Sequence, residues 1–441
     1  MIGLRFVVLT ALIPLLGGWI ATFASVRLLP RAARMASYIA AGIVTIAVEM
    51  FALAAIGVHW SLPLLLLPAL ASCWILWRNP VTRERRAGSS PALLIVAAAA
   101  ILIVTATVMA GAATSFDLLL FWGVKGVHFA TAGTIDVPFL RDPANALMHS
   151  DYPPLVPLVY AWSMLGSTGL GGPGLDWFGA IATAPLLLLA ATAAVWGFTR
   201  SGAMTALYAA TFGFLFIDNN IAGNAEPMLL FLETVALAAL VCAPECEVVL
   251  VVALTGVILT KAEGAAFAGV LILWRVAAVA WERWRARSER SPAGSQTTPA
   301  PILTAVVPIV ALASWIAFCA YHGLLDTYRN HPGGSHTAFA AVALPLFREA
   351  SLHAAYVPWM ALVLLILIER SRAALPALAA AAAYLAFLVL VWAGGAEDNI
   401  AMEITWSAGR VLMTPLVILF FAAVVSDRGS YLARARTPRQ D

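Results

Sequence analysis

Charge is what this chain has least of. Asp, Glu, Lys and Arg make up 11% of its 441 residues, 62% are hydrophobic, and mean hydropathy is +0.90. A soluble domain carries nearer a quarter charged residues. The shortage excludes a water-soluble fold for most of the chain and makes a membrane its solvent. Excess positive charge is missing too. The net charge is +3 and the Arg clusters fall in short connecting loops, so no nucleic-acid footprint is present. Cysteine is scarce, with 4 residues, all in or beside apolar runs. No disulfide framework is implied. Cys242 and Cys246 in CAPEC have no His nearby, so they read as structural, not as metal ligands. Alternation is lacking as well: the apolar runs are continuous, which excludes a β-barrel. The N-terminus shows neither the basic region nor the cleavage site of a signal peptide, so its apolar run is expected to be retained as a helix.

What remains is a series of long apolar runs. A crossing helix needs about 20 apolar residues. Runs near 5–24, 36–57, 61–78, 92–113, 178 onward, 203–217, 228–243, 248–260, 265–281, 302–321, 353–369, 374–393 and 411–425 suit helices. The expected fold is an all-α, polytopic transmembrane bundle of about 13 spans, forming one integral-membrane domain over 1–441.

Lys and Arg mark the cytoplasmic side of short loops. Arg27, Arg31 and Arg34 follow the first run, and Arg78, Arg83, Arg85 and Arg86 follow the third. Both loops lie inside only if the N-terminus lies outside. The run 92–113 then travels outward and delivers 114–178 to the external face. Arg200, WERWRARSER and the tail SDRGSYLARARTPRQD fall inside on the same scheme. The segment 282–301 is a cytoplasmic linker, 322–350 a second external loop, and 426–441 a basic cytoplasmic tail. Had 153–165 crossed, every later loop would change sides and the basic ones would be external. PPLVPLVYAWSML is also short and Pro-rich at its start, so it is expected to lie along the outer face as a juxtamembrane helix. A cysteine replacing Gly172 is therefore expected to react with an impermeant thiol reagent from outside. Labelling from inside alone would sink this topology.

On this scheme the polar residues left over gather externally. They include Asp117, Asp151, Glu226, Glu263, Asp398 and Glu403, with Lys125, Lys261 and Arg410. Ionisable groups at or near the membrane are costly and point to function. Asp117, Phe121, Lys125 and His128 recur at intervals of four, four and three, so a short helix would put them on one face. Thr114 or Ser115 suffices as a cap there, so Asp117 is not needed for that role. A carboxylate can take the proton of an alcohol as it attacks a carbon bearing a leaving group. Lys261 and Arg410 suit an anionic leaving group such as a phosphate, with Arg410 opening the last span. Lys125 suits either job, and Arg410 equally suits a headgroup contact. Glu233 shares a face with Glu226. His149 can pair with Asp151 or touch a ligand. The spacing among His322, His331 and His336 is loose for a metal and reads as a solvated loop.

The run from Asp117 through Trp122 and Lys125, then His149-Ser150-Asp151-Tyr152-Pro153-Pro154-Leu155, resembles the GT-C integral-membrane glycosyltransferases. The likeness is to the bacterial branch related to protein O-mannosyltransferases and the lipid A aminoarabinose transferase. NAEP at 224–227, TKAEG at 260–264 and Arg410 leading into Pro415 extend it over 114–425. The resemblance implies transfer of a sugar from a polyprenyl-phosphate donor to a lipid, glycan or protein acceptor. The reaction would occur at the outer face of the bacterial cytoplasmic membrane, usually with inversion. It implies Asp117 as base, and Lys261, Arg410 or Lys125 on the donor phosphate. Tyr152 and Glu226 would line the sugar pocket, with His149, Asp151 and Glu263 around it. It makes no cofactor certain and leaves a divalent metal open. Asp117 has no acidic neighbour, Glu226 stands where relatives often have Asp, and the three helices before 92 are additional. The reading from another class is a transporter or flippase of a lipid-linked or anionic substrate. Transporters show internal repeats and midplane polar groups; this chain shows no repeat, and its acids gather at one side. A polymerase or ligase of surface polysaccharide would share the donor chemistry.

Overall fold

The computed structural model describes residues 2–79, 91–165, 178–219, 221–288, 300–324, 342, 344–348, 374–394 and 400–436. Among them the chain is helical and contains no strand. In chain order the helices are α1 (Ile2–Leu16), α2 (Arg31–Ala55), α3 (Leu67–Arg78, after a turn at Leu62–Leu65), α4 (Pro91–Gly111), α5 (Phe116–Leu120), α6 (Trp122–Ala132), α7 (Val137–Arg141) and α8 (Leu155–Met164). There follow α9 (Phe178–Thr199), α10 (Gly202–Asp218), α11 (Glu226–Cys242), α12 (Glu247–Thr260), α13 (Ala262–Ser288), α14 (Ala300–Tyr321), α15 (Leu375–Gly394), α16 (Ile400–Val411) and α17 (Met413–Arg436). Among the described residues, six stretches are long and apolar enough to cross a membrane: Arg31–Ala55, Ile95–Thr114, Gly179–Thr199, Ala262–Trp281, Ile302–Tyr321 and Ser407–Val425. The expected span at 353–369 and most of the loop 322–350 lie outside the described residues. The segment 282–301 opens as the end of α13, and the tail from 426 continues as helix to Arg436.

The chain forms two compact units. The first comprises 1–265 and 307–331, the second 266–306 and 332–441. In the first, α11 packs on α9 and α12, α10 on α4, and α2 on α1, α9 and α12. α1 approaches α2 closely because Gly17 and Gly42 sit at the crossing. A Cβ on Gly42 would stand 1.9 Å from the Ile13 carbonyl oxygen. Without a hydrophobic force between helices in lipid, such backbone-close crossings hold bundles together. In the second unit α17 packs on α15 and α16, around buried Tyr384, Phe420 and Phe421.

Two ends of the first unit differ in charge. Arg27 donates to Asn79 at 3.0 Å, Gly197 lies against Ala33, and Arg200 follows Thr199 at the end of α9. This end gathers Arg27, Arg31, Arg34, Arg78 and Arg200, with Glu245 and Glu247 on the α11–α12 turn. At the opposite end, Trp60 N–H donates to the Gly133 carbonyl at 2.7 Å and Ser115 Oγ donates to the Ala222 carbonyl. There the ends of α4, α10 and α12 meet the starts of α5, α11 and α13.

α8 departs from expectation. It does not lie along a surface: eight of the nine side chains from Leu155 to Ser163 are buried, Ser163 alone being partly exposed. It packs against α6, α2, α1, α9 and α12. Trp162 Nε1 donates to the Leu9 carbonyl at 3.3 Å. Its 10 residues reach only ~15 Å, too short to cross. The sequence carries apolar groups on every face of this helix, and a fully apolar helix is an interior one.

Candidate functional site at the polar end

Ser115 caps α5, its hydroxyl accepting from Leu118 N–H at 3.3 Å while donating to the Ala222 carbonyl. This pins the start of α5 to the loop before α11. Gly223 in that loop has φ +72°, and a Cβ there would stand 2.5 Å from Leu118 Cδ1. Only glycine fits both the conformation and the space. Asp117 sits in the first turn of α5, partly exposed.

Tyr160 of α8 reaches the same loop. Its hydroxyl donates to the Asn224 carbonyl at 3.1 Å and lies in the electrostatic field of both Glu226 and Asp117. Glu226, 4% exposed, is the first residue of α11, with Pro227 second. Proline costs nothing there, since that N–H has no helical partner, and the helix N-terminus favours the carboxylate. Lys261 holds it. The backbone between α12 and α13 is extended at Lys261, with φ −159° and ψ 158°. This aims the side chain back so that Nζ lies 3.1 Å from Glu226 Oε1 and 3.1 Å from Glu263 Oε1. Glu263, in turn, occupies the first turn of α13. The triad's formal charge is −1. Asn224 Oδ1 and Glu263 Oε2 are buried acceptors without a hydrogen-bond partner among the described residues, as is Asp151 Oδ1. Such acceptors demand donors.

The second half of the site is aromatic. The expected single helix carrying Asp117, Phe121, Lys125 and His128 is broken at Phe121, where φ is −134° and ψ −88°. The reason is packing. Leaving the helix lets Phe121 meet Trp122 edge to face at 4.6 Å and lie 4.4 Å from Lys125 Nζ. His128 is diverted to Asp136, 3.3 Å away. Lys125 is 2% exposed and donates to the His149 carbonyl at 3.0 Å. It is buried, with the His149 carbonyl as its hydrogen-bond partner. His149 adopts φ +45°, and its ring stacks on Tyr152 at 4.7 Å. Tyr152 stacks in turn on Trp122 at 5.8 Å. Trp315 Nε1 donates to the Asp151 carbonyl at 2.9 Å, and Ser150 Oγ to the Leu324 carbonyl at 3.1 Å. The two halves join where α6 crosses α8, at Gly126 against Tyr160.

Burial pushes the Lys125 ammonium down to about 7, with the Asp151 charge opposing. Between about 7 and its ordinary value the unfolded chain binds the proton that the folded chain lacks, so stability rises with pH across that window. The thermal midpoint of the purified protein is expected to climb between pH 7 and 10, and Lys125→Met to flatten the climb. Parallel curves for the two proteins would refute this.

Arg410 stands near the start of the last crossing stretch, Ser407–Val425. It belongs to the second unit, in the last turn of α16, and α17 begins after it at Met413. Pro415 explains the split: it has no N–H to offer Val411, so the helix cannot run on. Asp398 and His331, His336, Asp326 and Arg329 lie outside the described residues, as does the side chain of Glu403. Sequence reasoning passed over Tyr160 and Trp315 as site residues. A lone phenol inside the greasy run PPLVPLVY was a signal for Tyr160; Trp315 gave none.

Fold and site together define a helical membrane protein with a polar, acid-rich site at one end of its larger unit. No protein-family model matches the sequence, and no curated protein or solved structure matches it.

Proposed function

We propose that this protein is a membrane glycosyltransferase that moves a sugar from a polyprenyl-phosphate donor to an acceptor at the outer face of the cytoplasmic membrane. The observation that carries the reading is the Lys261 ammonium held 3.1 Å from both Glu226 and Glu263, with buried acceptors at Asn224 and Glu263 left for a donor. A sugar offers many hydroxyl donors, and an acceptor alcohol needs a base. In this reading Asp117 takes the proton from the acceptor hydroxyl. The oxygen forms its bond to the anomeric carbon as the bond to the phosphate oxygen breaks, with inversion. The polyprenyl phosphate leaves with the bonding electron pair. Lys261, fixed between two carboxylates, supplies positive charge for that phosphate. Glu226, Glu263, Asp151, His149 and Tyr152 line the sugar pocket.

The end with Arg27, Arg31, Arg34 and Arg200 faces the cytoplasm by the charge rule, which puts the acid-rich end outside. It also keeps the two ends of the segment 114–178 on the external side, with α8 enclosed between them, and the count of spans at about 13. The direct test supplies membranes containing the protein with a polyprenyl-phosphate-linked radioactive sugar. Sugar transferred to a product supports the reading. Movement of the intact donor across the bilayer with no new glycosidic bond would establish the transporter instead.

A further inference from the structure

α2 begins at the arginine-rich end of the first unit. Its start carries no side-chain cap, and its first turn holds no acid. The N–H groups of Arg31, Ala32 and Ala33 have no carbonyl a turn earlier to bond. Gly197 lies against the Ala33 nitrogen, which leaves those of Arg31 and Ala32. A helix start in this state attracts an anion, and two guanidiniums are fixed beside it. Arg27 Nη1 donates to the Ala21 carbonyl at 2.9 Å, the Thr22 carbonyl at 3.3 Å and Asn79 Oδ1 at 3.0 Å. Arg34 Nη1 donates to the Arg27 carbonyl at 3.0 Å and the Leu29 carbonyl at 3.1 Å. These bonds hold both groups in place and use Nη1 alone. Nε and Nη2 of each have no partner among the described residues.

Tyr38, one turn beyond Arg34, turns toward the same place. Helical side chains lean back toward the start of their helix. The residue is 6% exposed, and its hydroxyl is buried with no hydrogen-bond partner among the described residues. Buried polar atoms are rarely left so. The strongest charges felt by this phenol are Arg34 and then Arg27. The acids of this end, Glu245 and Glu247, stand on the α11–α12 turn, which meets Ser25 through the Cys246 thiol. At the phenol the two arginines outweigh them. Guanidinium groups only donate, and a phenol hydroxyl has a proton to give. What these groups lack in common is an acceptor, and an oxyanion supplies one to all of them.

We propose that the start of α2 binds a phosphate group, held by Arg27, Arg34, the Tyr38 hydroxyl and the N–H groups of Arg31 and Ala32. The neighbouring surface favours the phosphate of an anionic phospholipid over the free ion. Leu28 and Met35, on either side of Arg31 and Arg34 in the chain, are 80% and 43% exposed, and Met35 belongs to a stretch fit to cross the membrane. Basic groups gathered between helix ends beside apolar surface suit a charged headgroup with its acyl chains. The site stands at the opposite end of the first unit from the acid-rich site and does not depend on sugar transfer.

The test is native mass spectrometry of the full-length protein in nonionic detergent. The first copy of dioleoyl phosphatidylglycerol is expected to bind at least about tenfold more tightly than dioleoyl phosphatidylcholine, whose choline the guanidiniums repel. Tyr38→Phe keeps the ring and removes one hydrogen bond to a charged group, so phosphatidylglycerol binding should weaken about tenfold. Its thermal midpoint without lipid should match that of the wild type, since the hydroxyl bonds nothing in the free fold. Arg34→Gln should weaken binding as well; Tyr38→Phe decides the matter if the glutamine variant does not fold. Phosphatidylglycerol retained against millimolar inorganic phosphate assigns the site to lipid. Displacement by inorganic phosphate, lost in Tyr38→Phe, keeps the phosphate site and assigns it to the free ion. Equal binding of the two lipids overturns the proposal. So does Tyr38→Phe that binds phosphatidylglycerol as the wild type does, and a lowered midpoint in that variant would then make the hydroxyl a structural group.

Discussion

Asp117→Asn is expected to abolish sugar transfer while leaving the protein at normal abundance in the membrane. The change keeps the shape of the side chain and removes its basicity. A positioned general base contributes typically ~10²–10⁴-fold, so transfer should fall by about that factor. The fold should not suffer, because Ser115 already caps α5 and ties it to the Ala222 carbonyl. That separation of roles makes the variant informative. The measurement is mass spectrometry of surface glycans from cells in which the variant replaces the wild type, together with transfer in isolated membranes. An unchanged glycan profile with the variant present at full level would remove Asp117 from catalysis. A loss of the protein itself would instead assign Asp117 a folding role.

Lys261→Met is expected to be the most destabilising change at the polar end. Lys261 lies 3.1 Å from each of two carboxylates, and the side chains of Lys261, Glu226 and Glu263 are only 13%, 5% and 21% exposed. Removing the cation leaves two acids facing each other with little water. Breaking a buried pair in this way costs about 3–5 kcal/mol. Neutralising all three residues is expected to recover most of that loss, since isosteric neutral groups avoid the uncompensated charge. The triple variant Glu226→Gln, Lys261→Met, Glu263→Gln should therefore unfold at a higher temperature than Lys261→Met alone, yet transfer no sugar. Equal midpoints for the single and triple variants would show that the ion pairs contribute little to the fold. Active triple variant would exclude these residues from the sugar and phosphate sites.

Much of the architecture was legible because apolar length is a local property. The runs 203–217, 228–243 and 248–260 became Gly202–Asp218, Glu226–Cys242 and Glu247–Thr260, and the helix expected from Phe178 begins there. The Ser115 cap was legible for the same reason. What escaped depends on partners far along the chain. The break at Phe121 is set by which rings surround Lys125, and the even spacing of Asp117, Phe121, Lys125 and His128 gave no hint of it. α8 looked like a surface helix because its length ruled out a crossing. The third option, a short helix enclosed by protein, requires the walls contributed by α1, α2, α9 and α12. The partner of Lys125, the carbonyl of His149, lies 24 residues away. The pairing of Lys261 with Glu226 spans 35 residues, and no spacing rule reaches that far.

The enclosure of α8 has a bearing on how the chain is made. Three of its neighbours, α1, α2 and α6, precede it in synthesis, and two others, α9 and α12, follow it. When residues 155–164 leave the ribosome, part of their eventual surroundings does not yet exist. A segment this short cannot rest across the bilayer, so it must wait at an interface until the chain has been extended through Thr260. Only then can it slide in among them, bringing Tyr160 up to Asn224. Assembly of the polar end is therefore a late step in biogenesis, and truncation anywhere before 260 would strand the helix outside the bundle with its indole and aliphatic groups exposed.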